Sequence, residues 1–280
     1  MGYKLLCKLS LLSLLFYAGE KFASAQTDGF ILFHIRSSLA FNKEWETSPL
    51  NEKEQQELLI ALEKPFSYLG SGGQCYAFAS DTHVIKFFKH HRRSSFLTIQ
   101  EKKRRKKEAK FLRDFTSYKL SFENLREETG LLFVHLNKTD TLCKKITIID
   151  KIGIAHTLSL DEYEFVVQKR GTLAHIHLDT LMQKGDVECA KRSIDSLLGI
   201  LKQRCQKGIF DEDAKIHRNV AFIEEKAVLI DVGRFRKDPS RKNPEVYKKD
   251  IRMITKRLKA FLVKYPELDA YLEKKVDELD

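Results

Sequence analysis

The 280-residue chain lacks any C-x-x-C pair, and its nine histidines form no H-E-x-x-H motif. Its five cysteines are widely scattered, at Cys7, Cys75, Cys143, Cys189 and Cys205. These absences argue against a zinc cluster and against a dense disulfide framework. The cysteines are therefore expected to be mainly buried free thiols, and one or two disulfides stay open as an alternative.

Long apolar runs are also missing. The stretch Leu9–Ala18 is too short to cross a bilayer comfortably, and no later segment approaches the required length. Lys4 and Lys8 place positive charge around its start, and Ala23-Ser24-Ala25 provides the small residues of a signal-peptidase site. The pattern predicts a signal peptide over residues 1–25 and export or secretion after Ala25, with no transmembrane span in the mature chain. An uncleaved anchor or an ordinary amphipathic helix is the alternative.

Acidic residues are in short supply: 39 Asp and Glu stand against 50 Lys and Arg, for a net charge of +11. This balance suits a nucleotide, a nucleic acid, an anionic membrane or an acidic substrate, so charge alone does not choose a partner. The densest part, Lys102–Lys107, falls on a helix predicted over Thr98–Phe115. It is either a solvated helix face or a binding surface. Aromatic residues are not interleaved with it, which makes a nucleic-acid partner unfavoured though open.

Hydrophobic residues make up 42% of the chain, which excludes disorder as a description of the whole. Strand patterns dominate the first part and helical patterns dominate from Leu173 onward. The predicted strands are Phe66–Leu69, Cys75–Ala79, His83–Phe88, Leu131–Leu136, Ile146–Ile149, Glu164–Gln168, Val220–Ile223 and Ala227–Asp231. This order predicts an α+β fold with two lobes: an N-terminal extension (26–63), a small β-rich N-lobe (about 64–168) and a short, mainly helical C-lobe (about 169–280).

Three glycines, Gly70, Gly72 and Gly73, separate the first two predicted strands. A turn of this kind exposes backbone N–H groups with no side chains in the way, so that phosphate oxygens can bind the main chain. A dinucleotide-binding motif would need a helix directly after the glycines, whereas Tyr76–Phe78 has the pattern of a strand. The strand–loop–strand context favours a lid over a nucleotide; an ordinary turn is the alternative.

Lys86 lies in the apolar strand that comes after the glycine-rich loop. A lysine there is costly unless its ammonium group meets a negative partner. Glu108 on the next predicted helix is the first candidate and Glu101 the second. The alternatives are an edge-strand lysine that faces water and, for Glu108, a surface ion pair.

A third block contains acidic and amide side chains suited to Mg²⁺, which prefers oxygen ligands and shares them with substrate phosphates. Asn219 lies in a loop and Asp231 ends a buried strand twelve residues later, so the two can reach one ion from two sides of a hairpin. Asp213 lies just upstream, where a carboxylate can accept the proton of an attacking hydroxyl. Asp211 is a rival for that role.

In this order, the motifs of residues 66–235 resemble those of protein kinases and their relatives. The resemblance implies an ATP- and Mg²⁺-dependent phosphotransferase that acts on a hydroxyl of a protein or small molecule. It makes Lys86 the lysine that holds the α- and β-phosphates and Glu108 its partner. It also makes Asp213 the catalytic base, and Asn219 and Asp231 the metal ligands.

The resemblance further implies that the glycine-rich loop covers the phosphates of the nucleotide. It implies that Glu164–Arg170 lines a hinge whose backbone accepts adenine.

The chain departs from the kinase pattern in several places. Cys75 replaces a third glycine, Val232 replaces the usual Phe, and no Ala-Pro-Glu segment comes after Phe235. There is no His-Arg-Asp triplet; His217-Arg218 directly precede Asn219 instead. These departures indicate an atypical or minimal kinase, or else an inactive pseudokinase that presents its basic helix to an anionic partner. A nucleic-acid or anionic-lipid binder is the third possibility.

Overall fold

The computed structural model describes residues 2–37, 39–90 and 101–279; for residues 2, 4–7, 101–104, 106 and 107 it describes the backbone only. The strands are β1 (Phe66–Ser71), β2 (Cys75–Ala79), β3 (His83–Phe88), β4 (Leu131–His135), β5 (Lys145–Ile149), β6 (Ala155–Ser159), β7 (Phe165–Lys169), β8 (Thr172–Leu173), β9 (Ile209–Asp211), β10 (Val220–Ile223), β11 (Lys226–Leu229) and β12 (Phe235–Lys237). The helices are α1 (Gly2–Thr27), α2 (Glu52–Ala61), α3 (Glu101–Asn124), α4 (Arg126–Thr129), α5 (Ala174–Gln183), α6 (Val187–Gln206), α7 (Ile216–Asn219), α8 (Pro244–Leu262) and α9 (Pro266–Asp277).

The N-lobe is built on a seven-stranded sheet with the order β4-β7-β3-β2-β1-β5-β6. Its centre is the antiparallel meander β1-β2-β3, as the sequence predicts. Strand β6 was not predicted: it pairs with β5 at the sheet edge, and Leu158 is its one buried side chain. A strand with a single apolar anchor carries too weak an alternation to be recognised.

The N-terminal extension packs onto the outer face of this sheet. Phe30 and Ile35 are buried among sheet residues, and the Phe30 ring meets the rings of Tyr76 and Phe78 with centroids 5.2 and 5.3 Å away. Helix α2 begins with a capping box in which Asn51 and Glu54 satisfy each other's backbone N–H groups. The extension thus forms part of the N-lobe core.

The C-lobe is mainly helical, with α6 at its centre between α5, α8 and α9 and a small sheet with the order β11-β10-β8. Buried leucines and isoleucines of α6 and α8 form most of this second core, which includes Leu197, Leu201, Ile251 and Leu258. The fold is therefore α+β with a β-rich N-lobe and a short helical C-lobe, as predicted.

Helix α3 joins the two lobes. Its Ser117 hydroxyl donates to the carbonyl of Val232 and accepts from the N–H of Phe235 at 2.6 Å. The helix therefore fixes the segment directly after Asp231. The helix was predicted to begin at Thr98, but residues 98–100 lie outside the described residues. The side chain of Glu101 and most side chains of the run Lys102–Lys107 also lie outside them.

Among the described residues no helix combines the length and the apolar character that a membrane span requires. Four cysteines in this part of the chain are free thiols; Cys75, Cys189 and Cys205 are buried, whereas Cys143 is exposed. The prediction of free thiols is confirmed for these residues.

Candidate active site

A cleft of about 260 Å³ lies between the two lobes, under the turn that joins β1 and β2. Its walls are formed by Gly72, Gly73, Gln74, Cys75, Ala77, Lys86, Tyr118, Asp213, Arg218, Ile230, Asp231 and Arg234. Five residues predicted from separate motifs therefore meet in one place: Gly72, Gly73, Lys86, Asp213 and Asp231.

The glycine-rich turn is closed by hydrogen bonds of its own. The N–H of Gly72 donates to the carbonyl of Cys75 at 3.0 Å, while Gly70 pairs with Ala77 in the β1–β2 ladder. Lys89, which no motif predicted, reaches the turn from the end of β3 and donates to the Gly72 carbonyl at 2.7 Å. The turn thus stands over the cleft with two exposed glycines at its tip.

Lys86 enters the cleft from β3, where it pairs with Ala77 and Val166. Its ammonium group donates to Oε1 of Gln168 at 2.7 Å and to the carbonyl of Ile230 at 2.5 Å. Burial lowers the pKa of Lys86 from its ordinary value, and the nearby carboxylate of Asp231 opposes that shift. The ammonium group is thus held at the cleft by an amide and a main-chain oxygen.

On helix α3, Asp114 contacts the glycine-rich turn through Gln74, whereas Glu108 was predicted to pair with Lys86. Asp114 is buried, at 2% exposure, and accepts a hydrogen bond from Nε2 of Gln74 at 2.8 Å. Glu108 is half-buried six residues earlier on the same helix. A signal for Asp114 exists in the sequence, since it lies on the apolar face with Phe111 and Phe115.

The side chain of Gln74 bridges the two lobes. Besides Asp114, its Nε2 donates to the carbonyl of Gly233 at 2.9 Å. A Cβ at position 233 would lie 1.9 Å from Oε1 of Gln74. Glycine after Asp231-Val232 thus leaves room for this position of the flexible Gln74 side chain, which no sequence pattern indicates.

Replacing Gly233 by Ala should therefore displace the Gln74 side chain and break both of its hydrogen bonds. We expect a loss of about 1–3 kcal/mol in the free energy of unfolding, measured by urea denaturation. In a Gln74→Ala background, Gly233→Ala should lower the free energy of unfolding by only a few tenths of a kcal/mol. The Gln74 side chain, its clash with the new Cβ and its two hydrogen bonds are then already absent. Equal losses from Gly233→Ala in both backgrounds would contradict this contact.

Asn219 and Asp231 come together at the open end of the β10–β11 hairpin. Val220 pairs with Leu229 in the ladder, and the N–H of Ile230 donates to the carbonyl of Asn219 at 2.8 Å. Asn219 also donates its Nδ2 to the carbonyl of Asp213 at 2.7 Å, which leaves the oxygen Oδ1 for a metal ion. The exposed carboxylate of Asp231 lies one residue beyond this pairing.

This donor set fits Mg²⁺. Carboxylate and amide oxygens are its preferred protein ligands, and it usually completes its shell with water and phosphate oxygens. Within residues 2–37, 39–90 and 101–279 no group of three or more His, Cys, Asp or Glu side chains could cage a metal alone. A shared site of one or two protein ligands is therefore the kind that these residues can form.

Asp213 and Asp211 occupy different environments. Asp213 is half-exposed in the cleft wall, and Oδ1 of its carboxylate lies 2.6 Å from the Nζ of Lys215. Asp211 is buried and lies 3.3 Å from the Nη1 of Arg204, itself 1% exposed. Burial raises the pKa of Asp211 to about 6, and the Arg204 guanidinium opposes that shift. The geometry therefore gives Asp211 a structural position and Asp213 the accessible one.

These environments predict opposite outcomes for two conservative variants. Asp211→Asn should lower the free energy of unfolding by about 3 kcal/mol at neutral pH, because Arg204 keeps a buried charge without its partner. Asp213→Asn should change it by less than about 1 kcal/mol, because its ion pair is exposed. Urea denaturation of both proteins measures this difference, and comparable losses would contradict it.

The pH dependence of the same variant has a definite sign. Because the folded-state pKa of Asp211 lies above its unfolded value, folding favours the protonated carboxyl. That contribution to stability is present at low pH and is lost as the pH rises through about 6. The free energy of unfolding of Asp211→Asn should lack this part of the pH dependence.

Basic side chains lie beside Asp213; sequence reasoning noted His217-Arg218 among them only as a departure from the kinase pattern. Arg218 and Arg234 line the cleft, and Nδ1 of His175 lies 3.1 Å from the carbonyl of His217. The pKa of His217 is lowered by partial burial and by repulsion from Arg218, Arg257, His175 and Lys215. The C-lobe side of the cleft thus carries two arginines beside Asp213 and Asp231.

The prediction that the backbone of Glu164–Arg170 forms an adenine-binding hinge is wrong for most of this segment. Strand β7 is an interior strand of the sheet, paired with β3 on one side and β4 on the other. The N–H groups of Lys169 and Arg170 donate to the carbonyls of Gly130 and Thr82 at 2.9 and 2.8 Å. These main-chain groups are already used within the protein and are not offered to an adenine ring.

No protein-family model matches the chain, and no curated protein matches it significantly. Among solved structures it is similar to WbdD, described as a bifunctional kinase-methyltransferase. The 2.2 Å crystal structure of WbdD shares 16% identity, with 76% of this chain and 46% of that chain covered and a TM-score of 0.38. The complex of WbdD with the kinase inhibitor LY294002 shares 15% identity, with 75% and 45% covered and a TM-score of 0.35.

This chain spans less than half of the length of the WbdD chains. The TM-scores lie below 0.5, so this likeness carries no argument about the chain. The function of this chain has to be inferred from its own residues.

Proposed function

We propose that the chain is an ATP- and Mg²⁺-dependent phosphotransferase that transfers a phosphoryl group to a hydroxyl of a protein or small molecule. The observation that carries this proposal is the convergence of Lys86, Asp213 and Asp231 under the glycine-rich turn. These residues come from two lobes and are separated by up to 145 positions, yet they line one cleft. A cation, a carboxylate that can bind a metal ion and an accessible carboxylate are the parts that phosphoryl transfer needs.

Each residue has a role that its environment supports. The ammonium group of Lys86 lies where it can bind phosphate oxygens, and the N–H of Gly73 at the tip of the turn can bind another. Asp231, with Oδ1 of Asn219, would hold Mg²⁺, which would neutralise charge on the transferred phosphate. Asp213 is the accessible carboxylate that can accept the proton of the acceptor hydroxyl.

The cleft is narrow for this task. Its volume of about 260 Å³ lies below the roughly 300–1,000 Å³ of most small-molecule sites. Since Gln74 holds the turn against Gly233, the turn has to lift before a nucleotide can enter. We therefore expect Gln74 to exchange its bonds with Asp114 and Gly233 for contacts with solvent or nucleotide.

The direct test is Mg-ATP turnover by the full-length chain, with water and with hydroxyl-bearing acceptors. Release or transfer of the γ-phosphate that depends on Mg²⁺ is the expected result. Unchanged turnover in Asp213→Asn would contradict the assignment of Asp213 as the base. Unchanged turnover without Mg²⁺ would contradict the assigned metal site.

A catalytically inactive binding module is the second candidate. It is favoured by the hydrogen bonds of Lys86, which go to Gln168 and Ile230, and by the lobe-to-lobe contact of Gln74. Thermal stabilisation by nucleotide without any phosphate transfer would support it. The proposed use of the basic run Lys102–Lys107 by such a module stays a prediction, as does a nucleic-acid or anionic-lipid partner.

Export after Ala25 also stays a prediction. Since ATP is scarce outside cells, an exported phosphotransferase would have to act in another ATP-containing compartment. Helix α1 spans the predicted signal segment, with apolar side chains such as Leu14 and Phe16 exposed.

A further inference from the structure

Four basic or imidazole side chains gather on the C-lobe next to Asp213; we refer to His175, His217, Arg218 and Arg257 as the basic subsite. They come from three helices, α5, α7 and α8, that pack together there. Nδ1 of His175 lies 3.1 Å from the carbonyl of His217, and the positive charge of Arg257 on α8 acts on the His217 imidazole. Arg218 extends the subsite into the cleft wall.

Apart from Asp231, which lines the cleft with Arg218 and is the proposed metal ligand, the carboxylates near this subsite are engaged by other partners. Asp213 binds Lys215 at 2.6 Å, and Asp179 binds Lys264 and the hydroxyl of Tyr265. Within the part of the chain that the structure describes, neither Arg218 nor Arg257 forms an ion pair within 4.0 Å. The positive charge of the subsite is therefore not neutralised by these carboxylates.

Two other basic residues of α8 are paired: Arg252 lies 3.2 Å from Asp277, and Lys259 contacts Glu273. Arg257 lies between them in sequence, and its positive charge acts on His217 of α7. Gathering like charges raises the energy of the folded protein unless an anion joins them. Among the described residues, the subsite thus offers unpaired positive charge to an anion.

We propose that the phosphoacceptor carries an anionic phosphate group, which the basic subsite binds so that the acceptor hydroxyl lies at Asp213. The guanidinium group suits this ligand, because its planar fork can bind two oxygens of one phosphate. This inference rests on the proposed function, because only a phosphotransferase has a phosphoacceptor. The subsite itself is carried by C-lobe helices alone, whereas Lys86 and the glycine-rich turn come from the N-lobe.

The test uses the full-length chain and inorganic phosphate as the probe, with chloride added to keep ionic strength constant. Thermal denaturation is monitored as phosphate is titrated into the wild type, Arg218→Gln/Arg257→Gln and the control Arg252→Gln. We expect saturable stabilisation of the wild type and of the control, and an affinity lower by about tenfold or more in the double variant. An equal response in all three proteins would overturn the proposal.

Repeating the titration at saturating Mg-ATP separates the two phosphate sites. A response that persists supports a subsite distinct from the nucleotide, whereas a response that disappears assigns these arginines to ATP and overturns the proposal. If the wild type does not bind Mg-ATP but the phosphate response remains in it and is lost in the double variant, the proposed function fails and the anion site stands.

Two further probes distinguish the source of the phosphate group. Glucose 6-phosphate represents a soluble phosphate monoester, with glucose as its neutral control. Vesicles that contain phosphatidic acid represent a lipid headgroup, with vesicles of phosphatidylcholine alone as theirs. A response to either phosphate-bearing probe that depends on Arg218 and Arg257 supports the proposal, and a response to neither overturns it.

Discussion

Replacing Asp231 by Ala is expected to abolish Mg-ATP turnover, with a fall of about 10²-fold or more, while the protein stays folded. The carboxylate is exposed in the cleft, beside the oxygen Oδ1 of Asn219, and it is the donor best placed to bind Mg²⁺. Because the side chain is exposed, its removal should change the free energy of unfolding by no more than about 0.5 kcal/mol. Steady-state turnover and urea denaturation of the same preparation measure the two quantities.

Asp81→Ala provides the matched control. Asp81 is an exposed aspartate in the turn between β2 and β3, at the opposite end of β2 from the cleft, and it pairs with Lys64 at 3.3 Å. Its removal should leave turnover unchanged. Turnover at the wild-type level in Asp231→Ala would show that the metal site has been misplaced.

The second large effect is expected for Lys86→Met, which should remove Mg-ATP turnover to a similar extent. Among the described residues, the ammonium group is the one cation from the N-lobe in the cleft wall, so its loss leaves the phosphates without that contact. Stability should change by only about 1–2 kcal/mol. Loss of the bonds to Gln168 and Ile230 lowers it, whereas replacing a desolvated charge with an apolar chain of similar length raises it.

The pH dependence of stability should also change in this variant. Since the folded-state pKa of Lys86 lies below its ordinary value of 10.5, folding disfavours the charged form. The wild type therefore gains stability relative to Lys86→Met as the pH rises from the folded-state pKa towards 10.5. A constant difference in the free energy of unfolding across that range would contradict the burial of the charged group.

Lys169→Met serves as the control for Lys86→Met. Lys169 lies at the end of the neighbouring strand β7, pairs with Glu57 at 2.8 Å and is 44% exposed. Its loss removes a surface ion pair worth at most about 1 kcal/mol. Turnover should be retained, and an equal loss in both variants would show that the chemistry does not depend on Lys86 specifically.

Much of the N-lobe could be predicted because local chemistry decides it. The β1-β2-β3 meander has apolar strands bounded by glycines and by Ser80-Asp81, and the structure reproduces β2 and β3 to the residue. Strands β8, β9 and β12 were missed because each has only two or three residues, and β6 because it has a single buried side chain; all four depend on pairing with another strand. Such pairing leaves little trace in local periodicity.

The site was predictable only in part, for a related reason. The order of the motifs identified Lys86, Asp213 and Asp231, which the structure brings together in one cleft. Helical periodicity places Glu108 and Asp114 on the same helix but does not say which one meets Gln74, because the rotation of α3 is set by packing against both lobes. Gln74 is recognisable only from its tertiary contacts, because an amide side chain belongs to no motif.

The central question is whether the cleft binds Mg-ATP. Calorimetric titration of ATP into the full-length chain, with Mg²⁺ and with a chelator, measures this without knowledge of the acceptor. We predict binding that requires Mg²⁺, is lost in Asp231→Ala and Lys86→Met, and is kept in Asp81→Ala and Lys169→Met. Absence of binding to the wild type, or binding that is equal without metal and in both cleft variants, would contradict the proposed nucleotide site.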